Sequence, residues 1–305
     1  MKKNLLLYFL ILISLLLLII FPDICVDGAK SGLLLWFNTV IPTLFPFFIV
    51  SKLIINLQMW PKSLFKFYPY FIGILAGYPN GAIAVYEAVN DRKMDKENAV
   101  SDLVVCNIAS PIFLISYIGY SSLHEYYNKY IILFVVVLGS FVTSFIIKLF
   151  YMYIKKPATN VTGFDTNKFI CATEKRSASK NILEDVIMKS CEVLVFVGAY
   201  IIIFSIYAAF ITMLPLSKIY TAALSGLFEI TCGINLISDM DINMNTKYIL
   251  AACITGFGGL SSAFQSRKYI TDAGLSFINY IIHKALCGVI CMLIMYLYIM
   301  TQGHL

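Results

Sequence analysis

An all-α polytopic membrane protein is predicted, with about seven transmembrane helices and two re-entrant hairpins in an inverted repeat. Three observations carry that expectation. Of 305 residues, 60% are hydrophobic and 13% charged, with a mean hydropathy of +0.82; a soluble domain carries about twice that charged fraction. One long apolar run followed by two interrupted runs occurs twice, the layout of paired broken-helix units. The Lys and Arg residues also fall into loops that can share one side of a bilayer.

The first apolar run, Leu5 to Phe21, follows Lys2 and Lys3 and would be about 26 Å long as a helix, close to the hydrocarbon thickness. A signal peptide is the rival reading. Its apolar core would be unusually long, however, and Pro22-Asp23-Ile24-Cys25 offers no small-x-small cleavage site. Residues 1–30 are therefore expected to form a retained helix and an outer loop. Leu33 to Leu57 would return to the inner side, where Lys62, Lys66, Arg92 and Lys93 lie. The segment between those bases must enter and leave on one side, which predicts a re-entrant hairpin over 67–90 with Gly77 to Gly81 at its tip.

Ala99 to Tyr120, cut by Asn107-Ile108-Ala109-Ser110-Pro111, would cross outward, and Tyr130 to Tyr153 would cross back, closing a first repeat over 31–154. The loop over 155–190 carries seven lysines and arginines, including Lys155, Lys156 and Arg176, against four acids, and is expected to be cytoplasmic. In a second repeat, 191–305, Val193 to Leu214 would run outward and a hairpin over 220–237 would enter from the outer side. Tyr248 to Phe264, cut at Thr255-Gly256-Phe257-Gly258-Gly259, would return to Arg267 and Lys268, and Phe277 to Met300 would leave again. The repeats are then opposed, and their hairpin tips meet near the midplane. His283 and Lys284, early in the last helix, fit this topology by snorkelling to the inner interface.

Several function classes lose support. The eight cysteines lack a paired C-x-x-C spacing, so neither a disulfide framework nor a zinc site is implied, and Cys287 with Cys291 reads as packing. The net charge of +6 is a topology signal: its bases form no groove with interleaved aromatics, and no nucleic-acid partner is expected. His124, His283 and His304 are dispersed and form no metal set. No phosphate loop, H-E-x-x-H or G-x-S-x-G occurs, so neither an enzyme nor a cofactor is expected. The expected partners are the lipid bilayer and a small solute.

Non-helical backbone is tolerated in a bilayer where it is buried in protein or lines a wet cavity. The broken stretches are therefore the candidate solute site. Gly77 and Gly81 permit a sharp turn, Pro79 helps end a helix, Tyr78 offers a ring and a hydroxyl, and Asn80 offers donor and acceptor. A simple kink in a packed helix is the competing reading. Asn107 and Ser110, before Pro111, either complete a solute's hydrogen bonds or make polar helix contacts. Thr255-Gly256-Phe257-Gly258-Gly259 places three glycines in four positions, which weaken helix strongly, although small-residue helix crossing is an alternative; Ser261, Ser262 and Gln265 would face the same cavity, as would Thr231. Glu229 is read as the one acid deep in the membrane, where it either accepts a proton or cation or caps the hairpin tip; Glu87 lies nearer the inner interface.

Trp36 with Pro42-Thr43-Leu44-Phe45-Pro46-Phe47-Phe48, then Gly77 to Gly81, Asn107 to Phe113, Glu229-Ile230-Thr231 and Gly256 to Gly259 with Gln265, resembles the sporulation integral membrane protein family called YlbJ or SpoVV. The similarity runs from Ser31 to about Leu297. It implies nucleoside-recognition "Gate" units, which are similar to parts of concentrative nucleoside transporters whose re-entrant hairpins hold the solute. It also implies dipicolinate transport across the outer forespore membrane. Asn80 stands at the proposed tip where serine or threonine is common in that family, so the substrate could differ from that of the family. Glu229 would then be the residue coupled to H+ or Na+.

Overall fold

The computed structural model describes residues 2–57, 67–154 and 181–302, and every regular element among them is helical. Lys62, Lys66, His304 and most of the basic loop, 155–180, lie outside the described residues. Helix α1 spans Lys2–Ile20 and α2 spans Pro22–Leu35. Residues 22–30 are thus helical where the sequence predicts an outer loop. Pro22 sits in the first turn, where its missing N–H costs nothing, and Asp23 complements the helix dipole there. A π-helical stretch, Trp36–Val40, joins α2 to α3, Ile41–Asn56. The widened turn sits next to Pro42, which has no N–H to offer the preceding turn.

The first half continues with α4 (Tyr68–Ala76), α5 (Asn80–Asn90), α6 (Lys96–Cys106), a second π-helical stretch (Phe113–Ser122) and α7 (Ile131–Ile154). The second half holds α8 (Ile182–Ile211), α9 (Lys218–Phe228), α10 (Ile230–Ser238), α11 (Met244–Phe257), α12 (Gly259–Asp272) and α13 (Phe277–Thr301). Both halves therefore run in one order: a long helix, a pair of short helices, an interrupted helix, a long helix. Among the described residues, five helical stretches, Pro22–Ile54, Ile131–Tyr153, Ile182–Ile211, Met244–Asp272 and Phe277–Thr301, are long and apolar enough to cross a membrane. The protein is a polytopic helical membrane protein.

Corresponding helices of the two halves pack against each other in antiparallel fashion. Along α2, Gly28 abuts Ile206 and Ala209 of α8, Gly32 abuts Ile202 and Ser205, and the Trp36 indole N–H donates to the Leu194 carbonyl at 2.9 Å. At the other end of each half, Tyr127 before α7 stacks edge-on to Tyr298 of α13, while Cys291 reaches the Val135 carbonyl at 3.7 Å. Small residues allow these approaches, because lipid supplies no hydrophobic drive between helices and close packing must supply the attraction. The buried core runs through α7, α11 and α13, with Ile132, Val135, Val136, Ala251, Cys291 and Met295 at its centre.

The short-helix pairs fold back on themselves. Gly226 and Gly233 bring α9 and α10 together so closely that a Cβ on Gly233 would lie 2.4 Å from the Gly226 Cα. Gly73 of α4 and Gly81 of α5 both face the end of α6, where a Cβ on either would lie 1.8 or 1.6 Å from the Cys106 carbonyl oxygen. Gly81→Ala is expected to destabilise the detergent-purified protein by about 1–3 kcal/mol, since backbone must shift to admit the methyl. Thermal unfolding checks this, with the exposed Val289→Ala as a control that leaves the midpoint unchanged.

Candidate functional site

Four interruptions of helix build the site. Gly77 ends α4 with φ of 71°, a conformation open to glycine at low cost. Tyr78 then donates its N–H to the Ile108 carbonyl at 2.9 Å, so the first hairpin tip is docked on the first broken helix. Pro79 caps α5, and the Tyr78–Pro79 bond is cis. In the broken helix, α6 stops at Cys106, Asn107 is its cap, and helix resumes at Pro111.

In the second half the hairpin tip is Glu229 itself, extended at φ −142° and ψ 124°. Its carboxylate accepts the Cys232 N–H at 3.0 Å and the Thr231 hydroxyl, capping α10. The competing reading of Glu229 as a backbone cap is therefore realised, and the same side chain also faces a cavity. The second interruption is narrower than expected. Gly258 is left-handed at φ 90°, while Thr255, Gly256 and Phe257 remain helical. Gly256 serves helix crossing instead: a Cβ there would lie 3.0 Å from the Gly288 Cα and 2.7 Å from the Cys291 Sγ.

All four interruptions border one cavity of about 40 Å³. The first half lines it with Thr43 and Leu44 of α3, Tyr78 at the hairpin tip, and Ser110 and Phe113 at the break. The second half adds Val197 and Ile201 of α8, then Glu229, Ile230 and Thr231, and finally Gly258, Ser261, Ser262 and Gln265. Glu229, Thr231, Ser110 and Gln265 are at least nine-tenths buried. The Gln265 amide donates to the Ser261 hydroxyl at 3.2 Å, and its Oε1 has no hydrogen-bond partner among the described residues.

Of the sequence-nominated residues, Tyr78, Ser110, Glu229, Thr231, Gly258 and Gln265 converge on the cavity. Gly77, Pro79, Gly81 and Gly259 do not line it: Gly77 packs on Ser110, Gly81 on Cys106, Gly259 near Ile230, and Pro79 is the N-cap of α5. Asn80 is buried at the start of α5, and Asn107 donates its amide to Ser266 at 2.8 Å and to Tyr280 at 2.7 Å. Phe257 does not line the cavity; it packs against Gly288 of α13. Tyr78 is the aromatic at the hairpin tip that faces the cavity.

Two charges correct the sequence reading. Lys284 does not snorkel: it is 2% exposed, and a methyl built on Gly258 would lie 3.8 Å from its Nζ. Helical spacing carries the signal, because Tyr280, Lys284, Cys287, Cys291 and Met295 share the buried face of α13. Asp102 of α6 is a second buried acid. It pairs with Lys148 of α7 at 2.5 Å and accepts from Ser144 at 3.1 Å.

The chain is similar to the sporulation integral membrane protein YlbJ of Bacillus subtilis (strain 168), at 23% identity over 313 residues covering 88% of this chain and 76% of that protein. This similarity supports the YlbJ-type resemblance of the motifs. No protein-family model and no solved structure matches the chain.

The Asp102–Lys148 pair makes an asymmetric expectation testable. Asp102 is 5% exposed and Lys148 is 39% exposed, so removing the lysine strands the more buried charge. Lys148→Met should lower the unfolding temperature more than Asp102→Asn, and the double substitution should recover most of the loss; equal single effects with simple additivity would show that the pair is not coupled.

Proposed function

We propose that this protein is a sporulation-associated secondary transporter of a small organic anion, with dipicolinate as the expected solute and the outer forespore membrane as its expected location. The observation that carries this reading is the convergence of both hairpin tips and both helix breaks on one largely apolar cavity that also presents Tyr78, Ser110, Glu229, Thr231 and Gln265. Antiparallel packing of α2 on α8 and of α7 on α13 supports two opposed repeats. That arrangement, with about seven transmembrane helices and re-entrant hairpins, is the basis of alternating access at a fixed midplane site. Similarity to a sporulation membrane protein supports the cellular setting.

The cavity, at about 40 Å³, has room for about three water molecules. A dicarboxylate therefore requires a hairpin tip to part from the break on which it docks. Glu229 is the coupling candidate. Its carboxylate caps α10 and faces the cavity, so binding H+ or Na+ there would change both the cap and the charge the solute meets. The hydroxyls of Ser110, Ser261 and Ser262 and the amide of Gln265 favour a second reading, a neutral solute such as a nucleoside. A non-transporting envelope scaffold is the third.

Uptake of labelled dipicolinate and uridine into proteoliposomes, with and without pH and Na+ gradients, separates these. Saturable dipicolinate flux, driven by one gradient and abolished in Glu229→Gln at equal reconstitution, is the expected result. Uridine flux alone would establish the neutral-solute reading, and flux of neither solute by folded protein would favour the scaffold.

A further inference from the structure

We propose that Lys284 and the first turn of α12 form a carboxylate-binding subsite in the cavity wall, which holds one end of the transported anion; this deepens the transporter reading and rests on it. Lys284 is almost wholly buried, at 2% exposure, and its Nζ has no hydrogen-bond partner among the described residues. An ammonium in a membrane interior is costly unless an anion sits beside it. The protein places this one deliberately close to backbone. Gly288, one turn further along α13, lets that helix approach α11 until a Cβ on Gly288 would meet the Cys253 carbonyl oxygen at 2.8 Å. The approach sets the Lys284 side chain against Gly258, with Cε and Nζ at 3.5 and 3.8 Å from a methyl built there and the Ser262 hydroxyl at 3.1 Å.

Gly258 is both a cavity-lining residue and the N-cap of α12, a helix of 14 residues. The first amides of a helix lack carbonyl partners within it and carry its positive end. A glycine cap has no side chain to satisfy them. Two independent sources of positive potential, a helix N-terminus and a lysine unpaired among the described residues, thus meet at Gly258, the lysine from behind the lining and next to the Ser261 hydroxyl, while the Ser262 hydroxyl already donates to the Gly258 carbonyl at 2.6 Å. That set matches a carboxylate, which accepts several N–H and O–H donors and supplies the missing charge. It disfavours a neutral solute, which would leave the ammonium uncompensated.

Calorimetric binding to the purified full-length protein in detergent tests this, with dipicolinate, picolinate and the neutral pyridine-2,6-dicarboxamide as probes. Wild type is expected to bind both anions and to reject the diamide. Lys284→Met and Lys284→Gln are expected to keep or raise the unliganded unfolding temperature, because each removes an unpaired buried charge, while weakening anion binding by about tenfold or more. Lys284→Arg should retain most of it. Anion binding unchanged in the Met and Gln variants, or a wild type that binds the diamide as tightly as dipicolinate, overturns the subsite; the second criterion stands even if no variant folds. The transporter reading fails separately. Lysine-dependent binding without flux in proteoliposomes removes transport and keeps the subsite, whereas dipicolinate flux indifferent to Lys284→Met removes the subsite and keeps transport.

Discussion

Backbone N–H and C=O groups freed inside a bilayer have no water to turn to, and the arrangement of this protein follows from how the interruptions at 77–79, 107–110, Glu229 and Gly258 are satisfied. One solution is mutual: Tyr78 at the first tip donates to Ile108 at the first break, so two interruptions close one another. Another is local, with the Glu229 carboxylate capping the helix that its own backbone begins. For these solutions to work the tips must reach the breaks, and glycines at 73, 77, 81, 226 and 233 are what let backbone approach backbone. The cavity is what remains between four interruptions so packed.

Polar side chains divide along the same line. Asp102, Lys148 and Ser144 satisfy one another between α6 and α7, well integrated into helix packing. Asn107, Ser266 and Tyr280 tie the first break to α12 and α13. Lys284, by contrast, is buried beside the second break without a hydrogen-bond partner among the described residues. Of the buried polar atoms left unpaired among the described residues, the Gln265 Oε1 lines the cavity and the Lys284 Nζ lies behind Gly258, whereas those of Asn80, Asn107 and His283 lie away from it.

The sequence by itself determined the helical membrane class and the places near Gly77, Asn107, Glu229 and Gly258 where helix is interrupted. Those features are local: clusters such as Gly77-Tyr78-Pro79 forbid continued helix whatever surrounds them, and the apolar runs between them have no soluble alternative. Tertiary structure decided the rest. Gly256 stays helical because packing against Gly288 and Cys291 outweighs a helix-propensity penalty of about 1 kcal/mol. Pro22 starts a helix instead of a loop, since proline is tolerated in a first turn as readily as after a last one. Whether Lys284 reaches the interface or stays buried against Gly258 depends on which face of α13 meets α11, and the pairing of Asp102 with Lys148 depends on α6 lying against α7. Neither is written in a local pattern, because a helix period gives the faces of a helix but not its neighbours.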